Sequence, residues 1–425
     1  MNRVVITGLG CLTPIGNTPE ALWRSLESGT TGITPHQPED NDPDPILKFH
    51  NTAQIHDLDL STLSTAQLQT TERCAQLAIL AARQAAASAN LLAHHAPSDI
   101  ALIFGCSTNG RHAEEPEIAR VYTRNARVHP LTIPRSMASN GVSQVAIDLG
   151  ITGPAFTLST ACASGAHAIG TAFHMVRSGL VTAAIAGAHE APLTRSFLRA
   201  WDSMRVVSPT SCRPFAADRD GMTLAEGAAF LTLETLASAR ARRAPIFAEI
   251  LGFGMSADAH HITQPRPEGP AQAMRAALTD ASRTLHATSP EPGEPDQPAD
   301  VSSLHEQVSY INAHGTATQA NDAAETAALH AVFGPRAAHI PTSATKGFHG
   351  HSLGASSAIE LLITALALHH RRLPFTAGTQ TQDSTLALDL ILNTPRPIPG
   401  EAPILALSNA LAFGGLNAIL CLRSM

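Results

Sequence analysis

Several segments of this 425-residue chain end apolar runs on side chains that can do chemistry. Residues 155–159 form a short apolar run, followed by Thr160-Ala161-Cys162-Ala163-Ser164-Gly165. Residues 163–176 are then rich in small side chains, with Ala166, Ile169, Phe173 and Val176 at helical spacing. Cys162 thus falls where a buried strand meets a helix N-terminus, whose free N–H groups and positive dipole end favour a thiolate. Gly165 allows a second backbone or a substrate to come close. A second run ends in Asn312-Ala313-His314-Gly315-Thr316-Ala317-Thr318, which fixes an imidazole beside two hydroxyls. Thr345-Lys346-Gly347-Phe348-His349-Gly350-His351 sets a lysine and a histidine at the mouth of a helix, with Glu360 further along. A last glycine turn, Phe413-Gly414-Gly415, precedes the final apolar run. The imidazoles and the lysine supply a cysteine nucleophile with partners. Taken singly, a cysteine packs as a small hydrophobe, and any one of the 21 histidines is ordinarily structural. Their joint position at strand-to-helix junctions is what singles them out.

The elements that must carry these residues alternate. Strands are expected at 4–7, 100–105, 155–159, 181–186 and 230–236, and again at 246–253, 308–313, 340–343, 404–407 and 418–422. Helices are expected at 19–26, 67–92, 134–149, 163–176, 270–285, 321–332 and 354–369. Residues 36–45, 111–134 and 288–300 read as loops. Alternation of this kind implies α/β layers. The order restarts near Pro245, which divides the chain into similar halves, 1–245 and 246–425. The helices after Cys162 and Gly354 are poor in charge and belong between two sheets. Gly8 and Gly10 follow the first strand, but Thr13 replaces the third glycine of a dinucleotide fingerprint.

Composition narrows the rest. The chain is 44% hydrophobic and 15% charged with a net charge of −7, which points to neither nucleic acid nor an anionic membrane. No continuous apolar run is long enough to span a bilayer, and the N-terminus lacks signal-peptide anatomy. Six cysteines without CxxC spacing argue against a disulfide framework or structural zinc, and for a reduced, cytoplasmic setting. Lys48 and Lys346 are the only lysines among 28 basic residues, so Lys346, inside a glycine- and histidine-rich turn, marks a need for a compact ammonium.

Over nearly its whole length the chain resembles the elongating β-ketoacyl-acyl-carrier-protein synthases of the thiolase superfamily. The landmarks are Val4-Val5-Ile6-Thr7-Gly8-Leu9-Gly10, Thr160-Ala161-Cys162-Ala163-Ser164-Gly165, Arg213-Pro214-Phe215 with Asp218-Arg219-Asp220-Gly221, and Gly252-Phe253-Gly254-Met255-Ser256-Ala257-Asp258. Asn312-Ala313-His314-Gly315-Thr316, Lys346 with Gly350-His351, and Phe413-Gly414-Gly415 complete the series. The resemblance implies an α/β thiolase fold, a duplicated five-layer α-β-α-β-α sandwich, with Cys162, His314 and His351 as the triad. It implies that Cys162 takes an acyl group from a carrier-protein thioester, with the N–H groups of Cys162 and Phe413 holding the oxyanion. His314 and His351 then hold the enolate made by decarboxylating malonyl-carrier protein, and Lys346, paired with Glu360, fixes His314. Thr316, Thr318, Thr108, His261 and Glu360 are the implied substrate-binding residues. No metal and no resident cofactor is implied, since the phosphopantetheine arm arrives on the carrier protein. The implied partners are acyl carrier protein and a second subunit, either a copy of this chain or a ketosynthase-like chain-length factor.

Some positions depart from the pattern. Ala412 and Leu416 stand where the gate of that family reads glycine and threonine, which constrains its motion, and Ala216 replaces an acid. Residues 58–72 hold no lysine or arginine, so docking of the acidic carrier protein passes to Arg124, Arg127 and Arg205. After the strand at 100–105, Ser107-Thr108-Asn109 replaces a small apolar turn. A hydroxyl or amide left unpaired beside a saturated tail costs about 1–3 kcal/mol, so an unsaturated or oxygenated acyl group is expected. Two other readings compete. A non-catalytic chain-length-determining subunit would lack Cys162, and a degradative thiolase would carry a second cysteine in a glycine turn, whereas Cys421 lies inside the last apolar run.

Overall fold

A computed structural model describes residues 1–38, 44–287 and 301–425. The loop expected at 288–300 and the middle of the one at 36–45 lie outside the described residues. In the first half the principal elements are β1 (Val4–Leu12), α1 (Arg73–Ser88), β2 (Ile100–Gly105), α2 (Arg111–Arg124), α3 (Asn140–Leu149) and β3 (Ala155–Leu158). They continue with α4 (Ser164–Ser178), β4 (Ala183–Glu190), α5 (Arg195–Met204) and β5 (Gly227–Thr235). The second half contributes β6 (Ala248–Ala257), α6 (Glu268–Ala287), β7 (Val308–Asn312), α7 (Gln319–Phe333) and β8 (Pro341–Ser343). α8 (Ser356–His370), β9 (Leu405–Ala412) and β10 (Leu416–Arg423) end the chain.

Strand order is β3-β2-β4-β5-β1 in one half and β8-β7-β9-β10-β6 in the other, so the same five-strand topology occurs twice, with a short strand, Asp389–Leu390, added in parallel beyond β8. A short antiparallel stretch joins the two sheets edge to edge, pairing Val4 with Ile250, Val5 with Glu249 and Ile6 with Ala248. β1 and β5 are apolar almost throughout and buried along their length, as strands covered on both faces must be.

Helices fill three layers around the sheets. α1 and α3 cover the outer face of the first sheet, and α6 and α7 the outer face of the second. α4 and α8 lie between the sheets, where Ala166, Ile169, Phe173, Ile359, Leu362 and Ile363 share one core. α8 carries no charge but Glu360 before its last turn, and is buried from Ser356 to Leu368. The apolar stretch Leu353–His370 is long enough to cross a membrane, but 89% of it is buried inside the protein as this central layer. The result is the expected five-layer sandwich.

The paired glycines of β1 serve packing. A Cβ on Gly8 would stand 2.3 Å from the Ala85 carbonyl oxygen and one on Gly10 2.1 Å from that of Ala81, both in α1. Gly252 and Gly254 of β6 abut Ala277 and Ala273 of α6 in the same way, at 2.3 and 2.1 Å. The repeat thus extends to how each leading strand receives its outer helix.

Three local expectations are corrected. The helix expected over 67–92 breaks at Thr71-Glu72, both extended, because the Glu72 carboxylate caps a new helix by accepting from the Ala75 N–H at 3.2 Å. The stretch at 111–134 is largely helical. α2 forms despite Pro116 and is followed by a short helix, Thr132–Ser136. α5 was not expected at all, although Leu198 and Trp201 give it a buried face.

Candidate active site

Cys162 is presented by a strained turn. Ala161, just before it, holds φ at +49°, which costs a residue other than glycine about 1–2 kcal/mol. Ser164 offsets this: its hydroxyl donates to the Ala161 carbonyl at 2.7 Å and accepts from the Thr160 N–H at 2.9 Å. Gly165 lets α4 meet α8, since a Cβ there would lie 2.8 Å from the Ala358 nitrogen. The close neighbour it admits is therefore backbone. The Ala166 N–H reaches across to the Ser357 hydroxyl at 3.0 Å and locks the crossing.

The cysteine and both histidines converge. Cys162 Sγ lies 3.2 Å from His351 Nε2, and ligand atoms of Cys162, His314 and His351 all fall within 4.8 Å of one another. The two imidazoles meet edge to face, with ring centroids 5.5 Å apart. All three residues line one cleft together with Thr316, Thr318, His261, Trp201, Asn417 and the turn Ala412-Phe413-Gly414-Gly415.

Lys346 determines the protonation of His314. The buried ammonium donates to the His314 carbonyl at 2.5 Å, to Glu360 Oε1, and to His314 Nδ1 at 3.2 Å. An ammonium has no lone pair, so Nδ1 must accept and the proton of neutral His314 sits on Nε2. Glu325 takes the His314 N–H at 2.8 Å and the Gly315 N–H at 2.9 Å, and Asn409 Nδ2 donates to it at 3.1 Å. His351 Nδ1 meets the Ser356 hydroxyl at 2.8 Å, which in turn meets Ser352 at 3.2 Å. Ser356 was missed, although it stands at the start of a helix just after the histidine.

Burial dominates the electrostatics. It is the main force holding both His314 and His351 well below the usual imidazole range, and the Lys346 charge acts in the same direction. Burial likewise pushes the Glu360 carboxyl up to about 7, against the pull of Lys346. The Cys162 thiol rises to about 11 because desolvation outweighs Lys346 and the backbone N–H groups of Phe413 and Cys162 itself. Burial thus works against the thiolate that the helix terminus was expected to favour, and it holds the two imidazoles toward their neutral forms. The two N–H groups that face the sulfur are the ones expected to form the oxyanion hole.

The remaining expected residues divide. Thr316 Oγ1 and Thr318 Oγ1 lie 3.0 Å apart, and Thr318 also caps α7 by accepting from the Asn321 N–H at 3.3 Å. His261 is exposed on the cleft wall, its Nδ1 accepting from the N–H groups of Thr263 at 3.1 Å and Gln264 at 3.2 Å. Phe413 stacks on Trp201 with centroids 5.8 Å apart, and Gly414 and Gly415 take φ of +82° and +68°. Glu360 does not line the cleft; buried at 1% exposure, it serves Lys346. Thr108 is not among the cleft residues either, and its hydroxyl donates to the buried Glu190 carboxylate. The case for a polar acyl tail therefore loses the Thr108 hydroxyl, while Asn109 Oδ1 stays buried without a partner among the described residues.

Arg124, Arg127 and Arg205 are exposed. Arg205 follows α5 directly, between the cleft residues Met204 and Val206. Arg124 and Arg127 lie at and beyond the far end of α2, which Glu115 ties to α5 by accepting from the Ser196 N–H at 2.8 Å and its hydroxyl at 2.7 Å.

Comparison with known proteins agrees with this geometry. Residues 1–239 match the N-terminal domain of β-ketoacyl synthases and residues 298–380 the C-terminal domain. The chain is 37% identical to nodulation protein E of Rhizobium sp. strain N33, over all of this chain and 99% of that one. It is 35% identical to 3-oxoacyl-[acyl-carrier-protein] synthase 2 of Staphylococcus aureus strain COL, covering 99% and 98% of the two chains. Among solved structures, the ishigamide ketosynthase/chain length factor superposes with a TM-score of 0.89 at 30% identity, over 100% of this chain and 99% of that one. The chain belongs to the β-ketoacyl synthase family, acyltransferases built on the thiolase fold.

Proposed function

We propose that this chain is the catalytic subunit of a 3-oxoacyl-acyl-carrier-protein synthase, which joins a Cys162-bound acyl chain to malonyl-carrier protein and releases CO2. The observation that carries the reading is the meeting of Cys162 Sγ with His351 Nε2 at 3.2 Å, beside a His314 whose proton is fixed on Nε2. In the first half-reaction His351 accepts the thiol proton as Cys162 attacks the acyl thioester, and the N–H groups of Cys162 and Phe413 hold the oxyanion. The pantetheine thiolate leaves and regains a proton from His351. In the second, malonyl-carrier protein loses CO2, and His314 and His351 donate from Nε2 to the enolate oxygen. The enolate carbon attacks the acyl-cysteine carbonyl, a C–C bond forms as the C–S bond breaks, and the Cys162 thiolate leaves and takes a proton from water. Ser356 can donate to or accept from Nδ1, so His351 can take either tautomer that these steps require.

Thr316 and Thr318 line the route of the phosphopantetheine arm, and His261 lines the same cleft. Arg205 at the cleft mouth, with Arg124 and Arg127 beyond, receives the acidic carrier protein. No resident metal or organic cofactor enters either half-reaction. A second subunit belongs to the same reading. β3 is an edge strand with Phe156 38% exposed, an open edge suited to pairing with another ketosynthase-like chain. That chain is either a copy of this one or a chain-length factor, and the division near residue 245 separates the nucleophile half from the histidine half. The acyl chain is of the fatty-acid, polyketide or polyene kind.

The alternative is a chain-length-determining partner without chemistry of its own. An intact thiol within reach of two oriented imidazoles disfavours it. Incubating Cys162→Ala with radiolabelled acyl-carrier protein tests the choice: no label attaches if Cys162 is the acyl site, and label on the variant refutes it.

A further inference from the structure

A second group of thiol and imidazole side chains lies away from the cleft, between the first sheet and its outer helices. Cys74 in the first turn of α1, Cys106 directly after β2 and His189 near the end of β4 are all buried, at 2% exposure or less. Cys74 Sγ stands 3.8 Å from Cys106 Sγ and 3.0 Å from His189 Nδ1, and one ligand atom from each of the three lies within 4.8 Å of the others. The surroundings are apolar. Phe104 meets the imidazole edge-on with centroids 6.1 Å apart, Phe230 stacks on it at 6.4 Å, and both belong to the same core as the two cysteines.

An imidazole is costly in such a place. His189 Nε2 is buried with no partner among the described residues, and the ring fits because residue 141 of α3 is glycine: a Cβ there would lie 2.4 Å from Nε2. What the position provides is Nδ1 beside two sulfurs. Two thiolates on one tetrahedral zinc, each about 2.3 Å from the ion, stand about 3.8 Å apart, which is the separation between Cys74 and Cys106. A thiolate and an imidazole nitrogen on the same ion stand about 3.5 Å apart, so His189 has to withdraw from Cys74 by roughly 0.5 Å. Burial holds His189 down to about 4, in the neutral form that binds metal. Sulfur ligands select a soft ion, and two thiolates cancel the charge of a divalent one, which suits an apolar site. Glu190, the next residue, is engaged elsewhere, accepting from Ser107 and Thr108.

We propose that Cys74, Cys106 and His189 bind one zinc ion, a structural site that ties α1, β2 and β4 together, both thiols giving their protons to solvent as the ion binds. A water or hydroxide takes the fourth position, as on other zinc ions with three protein ligands. Being wholly buried, the site is loaded as the chain folds. It braces the wall behind the nucleophile turn, because Gly105, next to Cys106, packs on Ser164: a Cβ on Gly105 would lie 2.5 Å from the Ser164 carbonyl carbon. Chain order hid the site, since the cysteines are 32 residues apart and His189 is 115 from Cys74.

The test uses the full chain carrying Cys162→Ala, which dismantles the other such group, Cys162, His314 and His351, as a source of bound metal. The chain is produced in minimal medium with added zinc, desalted, and its metals are counted by plasma mass spectrometry. About one zinc per chain is expected, falling at least tenfold when Cys74→Ser and Cys106→Ser are added. Production with cobalt(II) instead should give a near-ultraviolet thiolate-to-cobalt band that the double serine variant lacks. Zinc that persists in the serine variant, metal held only when Cys162 is intact, copper in place of zinc, or a disulfide between Cys74 and Cys106 would each overturn the proposal. Should the serine variant not fold, the Cys162→Ala chain alone decides, because the absence of both zinc and the cobalt band refutes the site. Neither readout involves acyl transfer, so failure here leaves the proposed function standing.

Discussion

Replacing Glu360 by glutamine should destabilise the protein and weaken decarboxylation together. Lys346 is wholly buried and, among the described residues, its ammonium donates to Glu360 Oε1, the His314 carbonyl and His314 Nδ1, of which Glu360 is the anion. Removing one partner of a buried ion pair costs about 3–5 kcal/mol, because the other charge stays out of water without compensation. The amide oxygen of glutamine still accepts from Nζ, so the lower end, about 3 kcal/mol, is expected. Lys346→Met in the same background should recover much of that loss, since it removes the stranded charge. The double variant still lacks the donor to His314 Nδ1. Its imidazole can then carry the proton on Nδ1, leaving Nε2 bare toward the enolate, and decarboxylation should fall by about 10²–10³, as when one oriented donor is lost. Urea unfolding of the two single variants and the double closes the cycle, with malonyl-carrier-protein decarboxylation measured on each. A cost below about 1 kcal/mol for Glu360→Gln, or wild-type decarboxylation in the double variant, would refute the reasoning.

Other outcomes follow from the same geometry. His314→Ala and His351→Ala should each lose decarboxylation by about 10²–10³ while Cys162 is still acylated at a reduced rate; wild-type decarboxylation in both would contradict their enolate role. Both imidazoles sit well below the usual range, so they remain neutral as pH falls through 6.5, and decarboxylation should show no acid limb centred there. Gly165→Ala should destabilise by about 1–3 kcal/mol despite its gain in helix propensity, because the new methyl meets Ala358 backbone at 2.8 Å; unfolding midpoints report this directly. Reversing the charge of Arg205 should weaken carrier-protein binding at low salt, chiefly through association rate, and an unchanged affinity would remove that residue from the docking surface.

Most of the layered fold was legible because strands buried on both faces read as unbroken apolar runs and the central helices carry almost no charge. The restart near Pro245 was visible for the same reason, as a second series of such runs. Boundaries failed where a single side chain decides them. The Glu72 cap splits one expected helix, and α2 is polar enough to pass for a loop although its i,i+3 pair Arg120–Glu117 supports it. Cys162, His314 and His351, which the fold brings together, were legible as residue types at junctions. What the chain order concealed was desolvation: Cys162 has the helix terminus and the lysine that favour a thiolate, yet burial outweighs both. The role of Thr108 was hidden likewise, because Glu190, its partner, is distant in sequence.

The most direct test is a single turnover followed by intact and peptide mass spectrometry. Wild type mixed with acyl-carrier protein should carry one acyl group, on the Cys162 peptide. Adding malonyl-carrier protein should discharge it, with one CO2 released and a 3-ketoacyl product two carbons longer than the starting acyl chain. An acyl group on any other residue, or an acyl-Cys162 that survives malonyl-carrier protein unchanged, would contradict the account.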